Sequence, residues 1–141
     1  MEDNLIFCSR GPDEGFTELL ITGTSPCITA HSKIYVTAPI LLELSQEIET
    51  FLREPDLEGY WENDVPGIGG PPCVTLRFLP QDAMGHVLVE IYMELNDGGD
   101  FLTHNCRFYI HTDRTKLQAF ASALENFRNP QDGASILLSG L

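Results

Sequence analysis

The sequence predicts an α+β domain in which an antiparallel sheet carries two amphipathic helices packed on one face. Three observations carry this. Two segments repeat apolar residues at i, i+3, i+7 and i+10, as Leu41, Leu44, Ile48, Phe51 and as Leu117, Phe120, Leu124, Phe127, which is the stripe of a surface helix. The segments before each stripe alternate apolar and polar residues, the period of a half-buried strand. Asn96-Asp97-Gly98-Gly99-Asp100 separates two of them, and such a tract signals a hairpin between antiparallel strands. At 141 residues the chain reads as a single domain over 1–141, because two would each be short of core. The core is expected over about residues 5–128, with 129–141 as a tail whose Ile136-Leu137-Leu138 either docks onto the body or stays disordered.

In chain order, Phe16–Thr22 and Cys27–Thr37 read as strands joined by the turn Gly23-Thr24-Ser25-Pro26. A helix follows from about Pro39 to Arg53. Pro39 suits the first turn, where its missing N–H would have had no partner, and Pro55 ends the helix. Glu54 to Pro72 is an insert, broken by Pro55, Pro66, Pro71 and Pro72 and by glycines, and so no single regular element. Its Gly67-Ile68-Gly69-Gly70 run lacks the lysine of a phosphate-binding loop. Val74–Leu79, Val87–Leu95 and Phe101–His111 read as strands. A second helix spans about Arg114 to Phe127, capped by Thr112 or Asp113. Both halves thus read strand–strand–helix, with Ile34-Tyr35-Val36 matching Phe108-Tyr109-Ile110. An internal duplication stays open on this pattern, because the helical stripe is generic.

Pairing Leu95 with Leu102 sets Glu90 opposite Arg107. The core face then carries Val87, Val89, Ile91, Met93 and Leu95 with Leu102, His104, Cys106, Phe108 and Ile110. The opposite face carries Glu90, Tyr92, Glu94, Asn105, Arg107 and Tyr109, with Arg77 and, from the first half, His31, Lys33 and Tyr35. A polar face bearing tyrosine and arginine is a candidate contact surface.

Charge narrows the partners. Lys and Arg number 8 against 21 Asp and Glu, a net charge of -13. That sign repels nucleic acid and anionic lipid and favours encounter with a basic protein. The acidic start Met1-Glu2-Asp3-Asn4 and the short apolar run after it read as no export signal, which predicts a cytoplasmic protein with reduced thiols. Cys8, Cys27, Cys73 and Cys106 form no C-x-x-C pair, and lone cysteines are as a rule small buried hydrophobes. No residue set meets the geometric requirements of catalysis. His31, His86, His104 and His111 are scattered, and alternate glutamates such as Glu90 and Glu94 are common on exposed strands. The expectation is no enzyme, no cofactor and no metal.

Leu76-Arg77-Phe78, Gly85-His86-Val87, Phe108-Tyr109-Ile110 and Asp113-Arg114-Thr115-Lys116-Leu117, with Leu124 and Phe127 and the earlier segment ending in Leu44, Ile48 and Phe51, resemble the WapI-type immunity proteins of bacterial polymorphic toxin systems. The resemblance spans about Phe16 to Phe127; the insert and the tail after Pro130 depart from it. It implies a small cytoplasmic protein that blocks a cognate, basic toxin domain by direct contact, with neither cofactor nor turnover. On that footing the acidic insert supplies the main contact: Glu54, Asp56, Glu58, Tyr60, Trp61, Glu62 and Asp64 would be aromatic anchors in a charged rim. The other reading of this insert has its aromatics tucked back onto the core. Tyr35, Glu90, Tyr92, Glu94, Arg107 and Tyr109 are the contact residues expected from the sheet face. Alternatives are a phage-type nucleic-acid mimic, which needs carboxylates spaced like phosphates, and a regulatory subunit using the polar sheet face. A homodimer stays open.

Overall fold

The computed structural model describes residues 3–54, 56–65, 67, 72–95, 104–127 and 129–141. The α+β class is as expected, with the strands divided between two antiparallel sheets of four. The first half contributes β1 (Asn4–Asp13), β2 (Phe16–Thr24), β3 (Thr29–Val36), α1 (Ala38–Arg53) and β4 (Gly59–Glu62). The second contributes β5 (Val74–Pro80), β6 (His86–Glu94), β7 (Asn105–Asp113), α2 (Arg114–Glu125) and β8 (Ser135–Ser139). The first sheet runs β3-β2-β1-β8 and the second β4-β5-β6-β7.

Both halves therefore follow the order β-β-β-α-β, and each lends its last strand to the other. β4 pairs with β5 and β8 pairs with β1, both antiparallel. The helices match position by position. Buried Leu41, Leu44, Ser45, Ile48 and Phe51 correspond at one constant interval to buried Leu117, Phe120, Ala121, Leu124 and Phe127. Carried back into the preceding strands, that interval sets Ile34 against Ile110, two residues from the match expected from Phe108-Tyr109-Ile110.

Each helix begins on a side-chain cap. The Thr37 hydroxyl accepts from the Ile40 N–H at 3.4 Å, and the Asp113 carboxylate accepts from the Lys116 N–H at 2.8 Å, satisfying donors that a helix start leaves without partners. α1 stops at Arg53; Pro55, expected to end it, lies outside the described residues. The Arg114 guanidinium donates to the Leu52 carbonyl, tying the start of α2 to the last turn of α1. Among the described residues no helix is long and apolar enough to cross a membrane.

One hydrophobic core joins the inner faces of both sheets to both helix stripes. Phe7 of β1 sits at its centre. Its ring lies 5.4 Å from Phe120 of α2, edge to face, and 6.4 Å from Trp61 of β4. Phe51 and Phe78 pack at 6.2 Å. The sheets also touch directly: the buried Ser32 hydroxyl of β3 donates to the Glu94 carbonyl of β6 at 2.7 Å, and the Phe108 ring fills the space over Gly23 in β2. A Cβ on Gly23 would stand 2.6 Å from Phe108 Cζ. Gly23→Ala is thus expected to cost about 1–3 kcal/mol through overpacking. Urea unfolding checks this, and a Phe108→Leu background should recover part of the loss because the two sites are in contact.

The insert, no single regular element, contains a short strand, β4 at Gly59–Glu62. Three expectations are corrected here. The tail contains β8, whose Leu138 is fully buried. Asn4–Asp13, to which no strand was assigned, is β1, closed onto β2 by a tight turn at Glu14 and Gly15 with φ 46° and 87°, the positive pair a two-residue hairpin needs. In the β6–β7 ladder Leu95 donates to the His104 carbonyl at 2.8 Å and Glu90 stands opposite Tyr109. The register is shifted by two from the expected one; Leu102 and the Asn96–Asp100 tract lie outside the described residues.

Candidate binding face on the second sheet

Alternation along β4, β5, β6 and β7 sends every second side chain away from the core. The registers line these up in rows across the sheet. One row reads Tyr60, Arg77, Glu90, Tyr109, and the next Glu62, Thr75, Tyr92, Arg107. The groups interlock. Glu90 Oε1 takes Arg107 Nη1 at 2.8 Å and lies 3.7 Å from Arg77 Nε. Glu90 Oε2 accepts from the Tyr109 hydroxyl at 2.7 Å. The Arg77 guanidinium lies over the Tyr60 ring at 4.9 Å, and that of Arg107 over Tyr92 at 5.4 Å, each in the range of a cation–π contact. The Tyr60 hydroxyl donates to Glu62 Oε2 at 2.7 Å.

These contacts hold the tyrosines in their neutral form. Burial, then the hydrogen bond to Glu62, pushes Tyr60 up to about 12. Burial, then the hydrogen bond to Glu94, pushes Tyr92 up to about 12. For Tyr109 the bond to Glu90 leads, with burial second, and the direction is also upward. A folded pKa above the unfolded one of about 10 adds stability that is whole below pH 10 and lost as pH climbs toward 12. A spectrophotometric titration should show these three ionising late, with unfolding setting in over the same interval; ordinary phenol titration of the folded protein would contradict this.

The expected contact residues fall into distinct places. Tyr60, Glu62, Glu90, Tyr92, Arg107 and Tyr109 come together on this face. Glu54, Asp56 and Glu58 are exposed between α1 and β4, and Asp64 is half-buried beyond β4. Tyr35 is exposed on β3, and so belongs to the other sheet. Trp61 points the opposite way from Tyr60 and is only 2% exposed. Its indole N–H donates to the Ile40 carbonyl at 2.9 Å. It is a core residue, as the tucked-back reading of the insert had it, and cannot anchor a partner. Glu94 is also 2% exposed. Its carboxylate accepts from the backbone N–H of Cys73 at 2.9 Å and of Gly67 at 3.0 Å, and from the Tyr92 hydroxyl at 3.1 Å. It pins the insert to the sheet and has no carboxylate to offer a partner. Asn63 adds a second pin, giving to the Pro72 carbonyl at 3.2 Å and taking from the Val74 N–H at 2.7 Å.

Arg77 faces outward in the sequence pattern but is not among the contact residues expected from it. Its place between buried Leu76 and Phe78 is the signal for that orientation; its role between Tyr60 and Glu90 depends on β4, which composition concealed. Among the described residues no three His, Cys, Asp or Glu side chains converge as a metal site requires. Burial pushes the Cys73 thiol up to about 12, the condition of an inert structural thiol. No protein-family model matches the chain, and neither a curated protein nor a solved structure matches it.

Proposed function

We propose that the protein is a small acidic binding protein of the toxin-neutralising, immunity type, which blocks a cognate basic toxin domain by docking it on the outer face of the second sheet. The observation behind this reading is the interlocked face itself. Tyr60, Arg77, Tyr92, Arg107 and Tyr109 are accessible yet already held by hydrogen bonds and ring contacts. Binding through them gives up little side-chain freedom, and Tyr and Arg dominate interface hot spots. The net charge of -13, with Glu54, Asp56 and Glu58 exposed nearby, would speed encounter with a basic domain at low salt.

The test is co-expression and affinity measurement with the toxin domain encoded beside its gene. Tyr109→Ala and Arg107→Ala are each expected to cost about 2 kcal/mol or more of binding, roughly 30-fold in Kd, and to abolish protection of the cell. Substituting Glu54, Asp56 and Glu58 should mainly slow association and flatten its salt dependence. Full affinity in folded Tyr109 and Arg107 variants would remove this face from the interface. The same face would suit a regulatory subunit, and protection of cells expressing the toxin separates the two readings.

A further inference from the structure

We infer that the docking face receives a carboxylate: the partner places an Asp or Glu side chain over the paired guanidiniums of Arg77 and Arg107. This rests on the reading that the outer face of the second sheet is the docking surface, and it names the chemistry at the centre of that surface.

Two cations share one anion there. Arg77 and Arg107 approach the same oxygen, Glu90 Oε1, from neighbouring strands on either side. The anion is the hidden member: the Glu90 side chain is 14% exposed, against 41% for Arg77 and 56% for Arg107. Glu90 is also occupied on its other oxygen by Tyr109. The neighbouring carboxylates are engaged elsewhere, Glu62 of the second row by the Tyr60 hydroxyl and Glu94, further along β6, by two backbone N–H groups and Tyr92. What the centre offers outward is therefore rich in guanidinium N–H donors, its exposed groups being the two arginines. Each guanidinium carries five N–H donors in a planar fork suited to a carboxylate. The ring contacts with Tyr60 and Tyr92 hold each guanidinium in place, so less freedom is lost when the ligand arrives.

The surface thus differs from the molecule as a whole, with its most exposed charged side chains at the centre being cations inside an acidic exterior. A complementary partner carries a negative residue at the middle of its contact and basic residues around it. That pattern also supplies specificity, because a uniformly basic protein would be drawn in by the net charge and then meet two arginines.

The test uses the full chain and two acetylated, amidated peptides, Lys-Tyr-Glu-Tyr-Lys and the same sequence with Gln for Glu. The net charge of the protein favours the glutamine peptide, so a preference for glutamate belongs to the face alone. Arginine side-chain Nε–H resonances are followed by NMR at low salt. The expected result is that Arg77 and Arg107 shift with the glutamate peptide at several-fold lower concentration than with the glutamine peptide. The preference should vanish in Arg77→Gln and Arg107→Gln variants whose backbone spectra remain native. Glu90→Gln should tighten the glutamate peptide further, because it removes the competing anion. Equal or stronger binding of the glutamine peptide, or no shift at either arginine, overturns the inference. If both peptides perturb Tyr60, Tyr92 and Tyr109 alike, the face binds protein segments but not through a carboxylate; the docking reading then stands on its own toxin-affinity test.

Discussion

Trp61→Ala is expected to destabilise the protein by about 3–5 kcal/mol, the range for emptying a large buried aromatic site. The indole is 2% exposed and touches the ring of Phe7, so its removal leaves a void beside the residue that joins β1, β4 and α2. It also takes the donor from the Ile40 carbonyl at 2.9 Å, leaving that acceptor to water or to nothing. Stability of a domain this size is about 5–15 kcal/mol, so the variant should fold with a much reduced urea midpoint. Trp61→Phe keeps most of the volume and loses the hydrogen bond, and should cost less. The neighbouring Tyr60→Ala removes a side chain from the outer face and should lower the midpoint far less than Trp61→Ala while weakening partner binding. If Trp61→Ala kept wild-type stability, the placement of β4 against the core would be wrong.

Removing residues 129–141 is expected to abolish the native fold. β8 lies along β1 over five paired positions from Asn4–Ser139 to Cys8–Ser135, and Leu138 is fully buried against the shared core. Loss of Leu138 alone is worth about 2–5 kcal/mol. The deletion also strands buried polar groups: the Thr112 hydroxyl donates to the Ser139 carbonyl at 2.7 Å, and the Ser9 N–H to the Ala134 carbonyl at 2.8 Å. It would turn β1 into an open, apolar sheet edge, which invites aggregation. Circular dichroism and size-exclusion chromatography should report an unfolded or aggregated chain. A monomer with native ellipticity and a cooperative transition would contradict this account of β8.

The helices and the direction of each strand's side chains were legible because periodicity records them. Leu41 to Phe51 and Leu117 to Phe127 are written as stripes, and Val87 to Met93 as an alternation, so inside and outside followed. The polar face was legible for the same reason. Register was not, because pairings two residues apart present the same faces; Glu90 against Tyr109 and Glu90 against Arg107 look alike in pattern. β1 was obscured because Ile6 and Cys8 on its outer side are as apolar as Leu5 and Phe7 within. β4 was masked by the prolines and glycines around it. Alternation tells where a side chain points but not which strands are neighbours, so one sheet was expected and two are present. The exchange of β4 and β8 between halves depends on contacts across the whole chain, and no local pattern carries it.

The pairing of Asn4 with Ser139 has a mechanical consequence. This end rung joins the first and last strands, laid head to tail, so a force drawing them apart meets the β1–β8 ladder at its end. Rungs would part singly, as teeth in a zipper, at low load.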